Sequence, residues 1–206
     1  MDNKISLKKY LLTVALGFGL GGLIWGVVMY MGIPDMASPF HYAFIIALSI
    51  LGGVALQLYS KNIKEIVKSV SSLFLGLAVG AVGTAILSYP LFFISIYLLS
   101  IPLPESANLD FIDLSLNIMI GSFWLFFFII GIIVSFLYSL FFKLKKWPMI
   151  WRGGVGFALG SLIAPVIGNS FGFLLDCQLI SYLLTFSLMS AIFGVFLAWG
   201  VWGSEN

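Results

Sequence analysis

The chain has 206 residues, of which 61% are hydrophobic, 17% aromatic and only 9% charged, against roughly a quarter charged in soluble domains. That composition excludes an ordinary water-soluble domain and leaves no length for one beside the apolar runs. The net charge of +2 conceals a segregation of sign along the chain, and the single cysteine, Cys177, excludes an internal disulfide, a thiol redox pair and a cysteine-based metal site.

In chain order, apolar runs long enough for membrane helices of about 20 residues fall at Tyr10–Tyr30, Phe40–Tyr59, Val70–Tyr89, Phe123–Phe142, Trp151–Leu175 and Ile180–Trp202. They are too long and too continuously apolar for barrel strands. The first run follows a basic start, as a signal peptide would. It exceeds the length of a cleaved apolar core and no small-residue cleavage pattern follows it, so it reads as a span. Tyr10, Tyr59, Tyr138, Trp147, Trp151, Trp199 and Trp202 are expected in one interfacial belt, and Tyr30, Tyr42, Tyr89, Trp124 and Tyr182 in the other.

All Lys and Arg residues fall in three clusters: Lys4, Lys8 and Lys9; Lys61, Lys64 and Lys68; and Lys143, Lys145, Lys146 and Arg152. Asp35, Glu105, Asp110, Asp113 and Asp176 occupy the alternate gaps. The positive-inside rule then puts both termini in the cytoplasm. The expectation is an all-α integral membrane protein: one transmembrane domain over residues 1–206, with six transmembrane helices as three tandem in–out–in hairpins. A basic inner rim meets anionic lipid headgroups, at about 1 kcal/mol per residue near the surface. It does not call for nucleic acid.

The odd-numbered spans resemble one another. The first reads Gly17-Phe18-Gly19-Leu20-Gly21 and the fifth Gly156-Phe157-Ala158-Leu159-Gly160, with a weaker Gly76-Leu77-Ala78-Val79-Gly80 in the third. Gly52, Gly131 and Gly194 correspond in the even spans. These matches predict tandem repeats over 8–60, 68–142 and 147–203. Small residues recur every fourth position in Thr13-Gly17-Gly21, Ser72-Gly76-Gly80-Thr84-Ser88 and Gly156-Gly160-Ala164-Gly168. Such stripes let helix backbones approach closely in lipid. Gly17, Gly21, Gly76, Gly80, Gly156 and Gly160 are therefore the expected packing positions, with the odd helices gathered inside a ring of hairpins. A narrow conduit there would be lined by backbone, Ser72, Thr84 and Ser88. A second stripe on the first span, Ala15-Gly19-Gly22-Gly26, implies a close neighbour on another side.

The middle hairpin carries an outer insertion over residues 90–122. It is apolar from Pro90 to Ile101, turns at Pro102 and Pro104, and alternates apolar and polar residues from Phe111 to Gly121. Apolar surface of this extent does not stay in water. It is expected to extend the helices, lie in the interface, cap a cavity or hold a partner, with a kink allowed at Pro90.

Catalytic chemistry is not visible. No ionisable residue lies in a span core, which argues against a carboxylate proton path or a voltage sensor. His41 is the only histidine, so neither bis-His haem nor a His-based metal site is expected. Gly168-Asn169-Ser170-Phe171-Gly172 matches a nucleophile-elbow pattern, but without the strand, base and oxyanion hole the chemistry needs. The expectation is no enzyme, no cofactor and no metal. Pro165 followed by Asn169 and Ser170 predicts a broken outer end of the fifth span. These two polar residues are the candidate ligand contacts, ahead of Gln57 and Asn117.

The reading that follows is a transporter, channel or substrate-binding transport subunit for an uncharged or weakly polar solute. The layout is similar to the six-helix substrate-binding subunits of energy-coupling-factor transporters, in size, in both ends lying inside and in small-residue motifs in the first helix. The likeness is one of layout and carries no residue roles. The alternative is a non-transporting accessory or assembly subunit, docking on a larger membrane partner through 90–122. Self-association into a homo-oligomer is compatible with either. With no Asn-x-Ser/Thr sequon, the expected site is a prokaryotic plasma membrane.

Overall fold

The computed structural model describes residues 6–31, 39–60, 62–100 and 108–205, with the side chains of 39–42, 84, 85, 87–100, 108–123 and 205 outside the description. The described residues form helices and no strand: α1 (Leu7–Tyr30), α2 (Pro39–Gln57), α3 (Ile63–Ser100), α4 (Asn108–Phe142), α5 (Lys146–Leu174) and α6 (Gln178–Glu205). Leu7–Tyr30, Ile63–Gly83, Trp124–Phe142, Lys146–Leu174 and Gln178–Ser204 are long and apolar enough to cross a membrane, and Ala43–Gln57 is a shorter apolar helix. The chain is a polytopic helical membrane protein.

Apolar segments away from water must satisfy every backbone N–H and C=O within the segment, which selects helices here despite the many glycines. Their ends are set locally. The Ser6 hydroxyl accepts the Lys9 N–H at 3.4 Å and the Asn62 side chain accepts the Lys64 N–H at 3.0 Å. Pro39 opens α2, where its missing N–H costs nothing. Lys143 (φ 53°) and Asp176 (φ 48°) turn the chain after α4 and α5. There the N–H groups of Leu144 and Cys177 return to the carbonyls of Ser139 (3.0 Å) and Gly172 (2.9 Å), a Schellman-type stop.

The segment 90–122 is largely helix. α3 continues through Pro90 to Ser100 and α4 begins at Asn108, while residues 101–107 lie outside the described residues. At 1.5 Å per residue, α3 and α4 are about 57 and 52 Å long, well beyond the roughly 30 Å of a hydrocarbon core.

Each helix packs against its neighbours in sequence, and α6 returns to pack on α1, so the bundle closes as a ring. Tyr10 at the start of α1 lies against Trp202 at the end of α6, with ring centroids 5.8 Å apart. Its hydroxyl donates to the Leu56 carbonyl of α2 at 3.2 Å. Lys8, Lys9, Lys64, Lys68, Lys143, Lys145, Lys146 and Arg152 therefore share one end of the ring, the basic end. The axis is filled by aromatic rings. Phe18 of α1 meets Phe193 of α6 at 5.6 Å, Phe193 meets Phe157 of α5 at 4.5 Å, and Phe157 meets Phe127 of α4 at 5.1 Å.

The expected gathering of odd helices at the centre is not what the described residues show. Odd and even helices alternate around the ring, and Leu12, Leu16 and Leu20 of α1 face outward at 59, 61 and 53% exposure. A small-residue stripe marks where a neighbour approaches; it does not say on which side the axis lies. Two of the expected belt residues also lie inside: Tyr138 is fully buried and Tyr10 nearly so.

The odd-helix glycines face the next helix in each case. A Cβ on Gly17 would collide with Ala55 and lie 2.8 Å from the Leu51 carbonyl of α2, and one on Gly21 would lie 2.8 Å from the Leu48 Cα. On α3, Gly76 faces the Val134 Cα of α4 at 2.9 Å and Gly80 faces Ile130 at 3.2 Å. On α5, Gly156 faces Phe196 of α6, and Gly160 faces the Met189 carbonyl at 2.7 Å. The second stripe of α1 is covered by α6: a Cβ on Gly19 would lie 3.4 Å from Ser187, one on Gly22 would collide with the Phe186 carbonyl, and one on Gly26 would lie 2.8 Å from the Tyr182 carbonyl.

Candidate functional site

Where α5 and α6 meet at the end remote from the basic clusters, they form a half-open cavity of about 260 Å³, lined by Pro165, Asn169, Gln178, Ser181, Tyr182, Thr185 and Phe186, with Asn169 and Gln178 exposed at its rim. Its position follows from the short turn at 175–177, which makes α5 and α6 antiparallel neighbours and sets Asn169 opposite Ser181. The Ser181 hydroxyl donates to Asn169 Oδ1 at 2.7 Å. That leaves the Asn169 amide N–H groups free to donate, and the Gln178 carboxamide and Thr185 hydroxyl form no hydrogen bond among the described residues. Gly168 lets the helices close above this point, because a Cβ there would collide with the Thr185 hydroxyl.

The cavity borders the interior of the ring. Phe186 packs on Trp25 of α1 at 4.5 Å, and Trp25 in turn stacks on Phe44 of α2 at 4.5 Å and approaches Phe127 of α4 at 6.4 Å. Tyr182 lies 6.3 Å from Tyr30. The wall is thus neutral polar on one side and aromatic on the other, with no charged residue in the lining. Uncharged polar groups beside aromatic rings suit a neutral ligand, since the lining offers no counter-charge to offset the hydration an ion would give up.

The two candidates at the end of the fifth span are separated by the structure. Asn169 lines the cavity. Ser170 does not, and its hydroxyl donates to the Val166 carbonyl one turn back at 2.7 Å. α5 runs as continuous helix past Pro165 to Leu174, so the predicted break at Asn169 and Ser170 is absent. A proline forfeits one hydrogen bond, and flanking turns in an apolar helix hold the rest. Residues 168–172 accordingly lie within a helix, with no strand-to-helix turn at Ser170.

Of the other candidates, Ser72 is fully buried and donates to the Ser69 carbonyl at 2.9 Å. Thr84 and Ser88 are on α3, but their side chains lie outside the described residues, as do those of His41 and Asn117. Gln57 belongs to a buried polar knot near the basic end: its Nε2 donates to the Tyr138 hydroxyl at 3.2 Å, and Ser69 Oγ lies 3.2 Å from the same hydroxyl. This knot ties α2, α3 and α4 together. Lys68 sits 4.6 Å from the ring centre of Phe142, which stacks on Tyr138 at 4.7 Å.

Reading the chain missed Gln178, Ser181 and Thr185. Their spacing, i, i+3 and i+7, is a polar stripe on one helical face, and that signal was available. No group of three His, Cys, Asp or Glu residues placed to hold a metal ion occurs among the described residues. Comparison with known protein families, curated proteins and solved structures gives no match.

Proposed function

We propose that this protein binds a small, uncharged polar solute in the α5–α6 cavity and acts as a carrier or as the solute-binding subunit of a larger transporter. The observation that carries this reading is the cavity itself: neutral donors from Asn169, Gln178 and Thr185, with the Ser181 hydroxyl oxygen as an acceptor, opposite the rings of Tyr182 and Phe186 and with no charge in the lining. The aromatic contacts from Trp25 through Phe127, Phe157 and Phe193 occupy the axis beyond it. A cup closed below by packed rings favours a binding protein that moves between conformations over an open pore.

The reading includes an orientation: six spans in three in–out–in hairpins, basic end and termini cytoplasmic, cavity outward. Repetition of the hairpin is supported by Gly17 and Gly21, Gly76 and Gly80, and Gly156 and Gly160 each packing on the helix that follows. The accessory-subunit alternative loses one of its two supports, because α6 of the same chain covers the second glycine stripe of α1.

The test is a thermal-stability screen of the purified protein in mild detergent against a panel of neutral polar solutes, followed by binding measurements on variants. Losing one well-placed donor costs on the order of 1 kcal/mol, about fivefold in affinity. Asn169→Ala is expected to weaken a stabilising solute by at least that much, and Ser170→Ala to leave it unchanged. Equal effects of the two variants, or stabilisation only by charged solutes, would overturn the assignment.

A further inference from the structure

We infer that the basic end of α5 and α6 holds a specific site for one anionic glycerophospholipid, centred on Arg152. Arg152 reaches from α5 across the last turns of α6. One guanidinium N–H group donates to the Trp199 carbonyl at 2.9 Å, and the guanidinium carbon lies 4.4 Å from the centre of the Trp199 ring. Gly203 makes room for this crossing, since a Cβ there would lie 2.6 Å from Arg152 Nη1. The side chain is thereby held by a bond, a stacked ring and a missing methyl group. One of its five N–H donors is used by the carbonyl, and the planar fork that remains matches the geometry of a phosphodiester.

The surroundings identify the occupant. Lys143, Lys145 and Lys146 are exposed on the turn and first residue leading into the same helix. The sequence of this stretch and of the end of α6 holds four cations and one acid, Glu205. Beside them Trp147, Trp151 and Trp199 are 69, 47 and 44% exposed, and Trp147 packs edge-on against Trp151 at 5.8 Å. Exposed indoles belong at the boundary between headgroups and acyl chains. A fixed arginine fork bordered by lysines and exposed indoles offers both a phosphate contact and an acyl-chain contact. Free phosphate would use only the first, so a membrane lipid fits this surface better. A mobile lysine at a rim gathers anionic lipid diffusely; a stacked, hydrogen-bonded arginine selects one.

The experiment is native mass spectrometry of the full chain released from micelles, titrated with phosphatidylglycerol or phosphatidylcholine. One phosphatidylglycerol should be retained at low lipid concentration and phosphatidylcholine should not. Arg152→Gln should weaken that first binding step by about tenfold, as expected for loss of a charge-assisted fork. Gly203→Val keeps every charge but displaces the guanidinium, and should weaken it similarly. The double variant Lys8→Gln/Lys9→Gln, which removes more charge from the same end, should change it by less than twofold. Circular dichroism confirms that each variant is folded, and should Arg152→Gln fail to fold, Arg152→Lys, which keeps the charge without the fork, takes its place. An equal loss in the Lys8/Lys9 variant would overturn the site in favour of diffuse attraction. Displacement of the lipid by an equal concentration of inorganic phosphate would overturn the choice of a lipid.

Discussion

A Gly→Ala series across the helix contacts separates two effects that usually travel together. In a helix interior, Ala is favoured over Gly by about 1 kcal/mol from backbone entropy and solvation. Against that stands the space a Cβ would enter. At Gly83 its nearest neighbour is the Ile133 Cδ1 at 3.7 Å, ordinary contact with the end of a flexible side chain. At Gly80 it would lie 3.2 Å from Ile130 Cγ2, and a few tenths of an ångström of side-chain adjustment suffices. At Gly160 it would lie 2.7 Å from the Met189 carbonyl oxygen and 3.2 Å from the Met189 Cα, so α5 and α6 must move apart. Separating packed helices costs about 1–3 kcal/mol, more than the propensity gain. Gly83→Ala should therefore stabilise by up to about 1 kcal/mol, Gly80→Ala should be close to neutral, and Gly160→Ala should destabilise by a net of up to about 2 kcal/mol. Gly22→Ala, whose Cβ collides with the Phe186 carbonyl, should be the most damaged. The assay is denaturant unfolding in mixed micelles followed by tryptophan fluorescence, with free energies compared at constant slope. Equal shifts at Gly83 and Gly160, in either direction, would refute the packing argument, because propensity alone treats the two sites alike.

Other outcomes follow from single groups. Tyr138→Phe strands the Gln57 amide and the Ser69 hydroxyl in the buried knot and should cost about 1–2 kcal/mol in the same unfolding assay; an unchanged stability would mean that the knot is not formed. Ser190 Oγ is buried with no hydrogen-bond partner among the described residues, so Ser190→Ala should be neutral or stabilising by up to about 1 kcal/mol; a clear loss would reveal a partner for that hydroxyl. Cys177, the sole cysteine, sits half-buried in the α5–α6 turn at the end remote from the basic clusters. A membrane-impermeant thiol reagent should label it in intact cells, whereas Lys145→Cys in a Cys177→Ser background should label only after permeabilisation. The reverse pattern would invert the proposed orientation.

Much of the architecture is legible along the chain because the bilayer imposes simple rules. A run such as Tyr10–Tyr30 has one spanning form available to it, and the clusters at Lys8, Lys64 and Lys145 mark which helix ends lie together. Small-residue spacing also identified Gly17, Gly21, Gly76, Gly80, Gly156 and Gly160 as positions of interest. It did not say which helix each would meet, since a stripe is a property of one helix and contact a property of two. For the same reason the odd helices were expected inside, whereas the axis belongs to Phe18, Phe127, Phe157 and Phe193. Phe18 and Phe157 occupy matching places in the glycine motifs of the first and fifth spans, but nothing in the local sequence distinguishes Phe127 and Phe193 from lipid-facing rings.

The candidate site divides in the same way. Asn169 and Ser170 stand out in sequence as neighbouring polar residues in an apolar run, yet 100° of rotation per residue sends one into the cavity and the other back to its own helix. Tyr138 was expected in an interfacial belt from its position alone and lies buried, because Gln57 and Ser69 reach it from two other helices. Segment class, the approximate place of each helix and the distribution of charge were determined by the sequence itself, through the cost of leaving backbone or charge in hydrocarbon, whereas α3 and α4 run well past the expected spans. Which faces meet, what fills the axis and where polar groups converge were decided only by tertiary packing. Lipid gives apolar faces little reason to prefer protein over membrane, so shape and a few hydrogen bonds between helices make that choice.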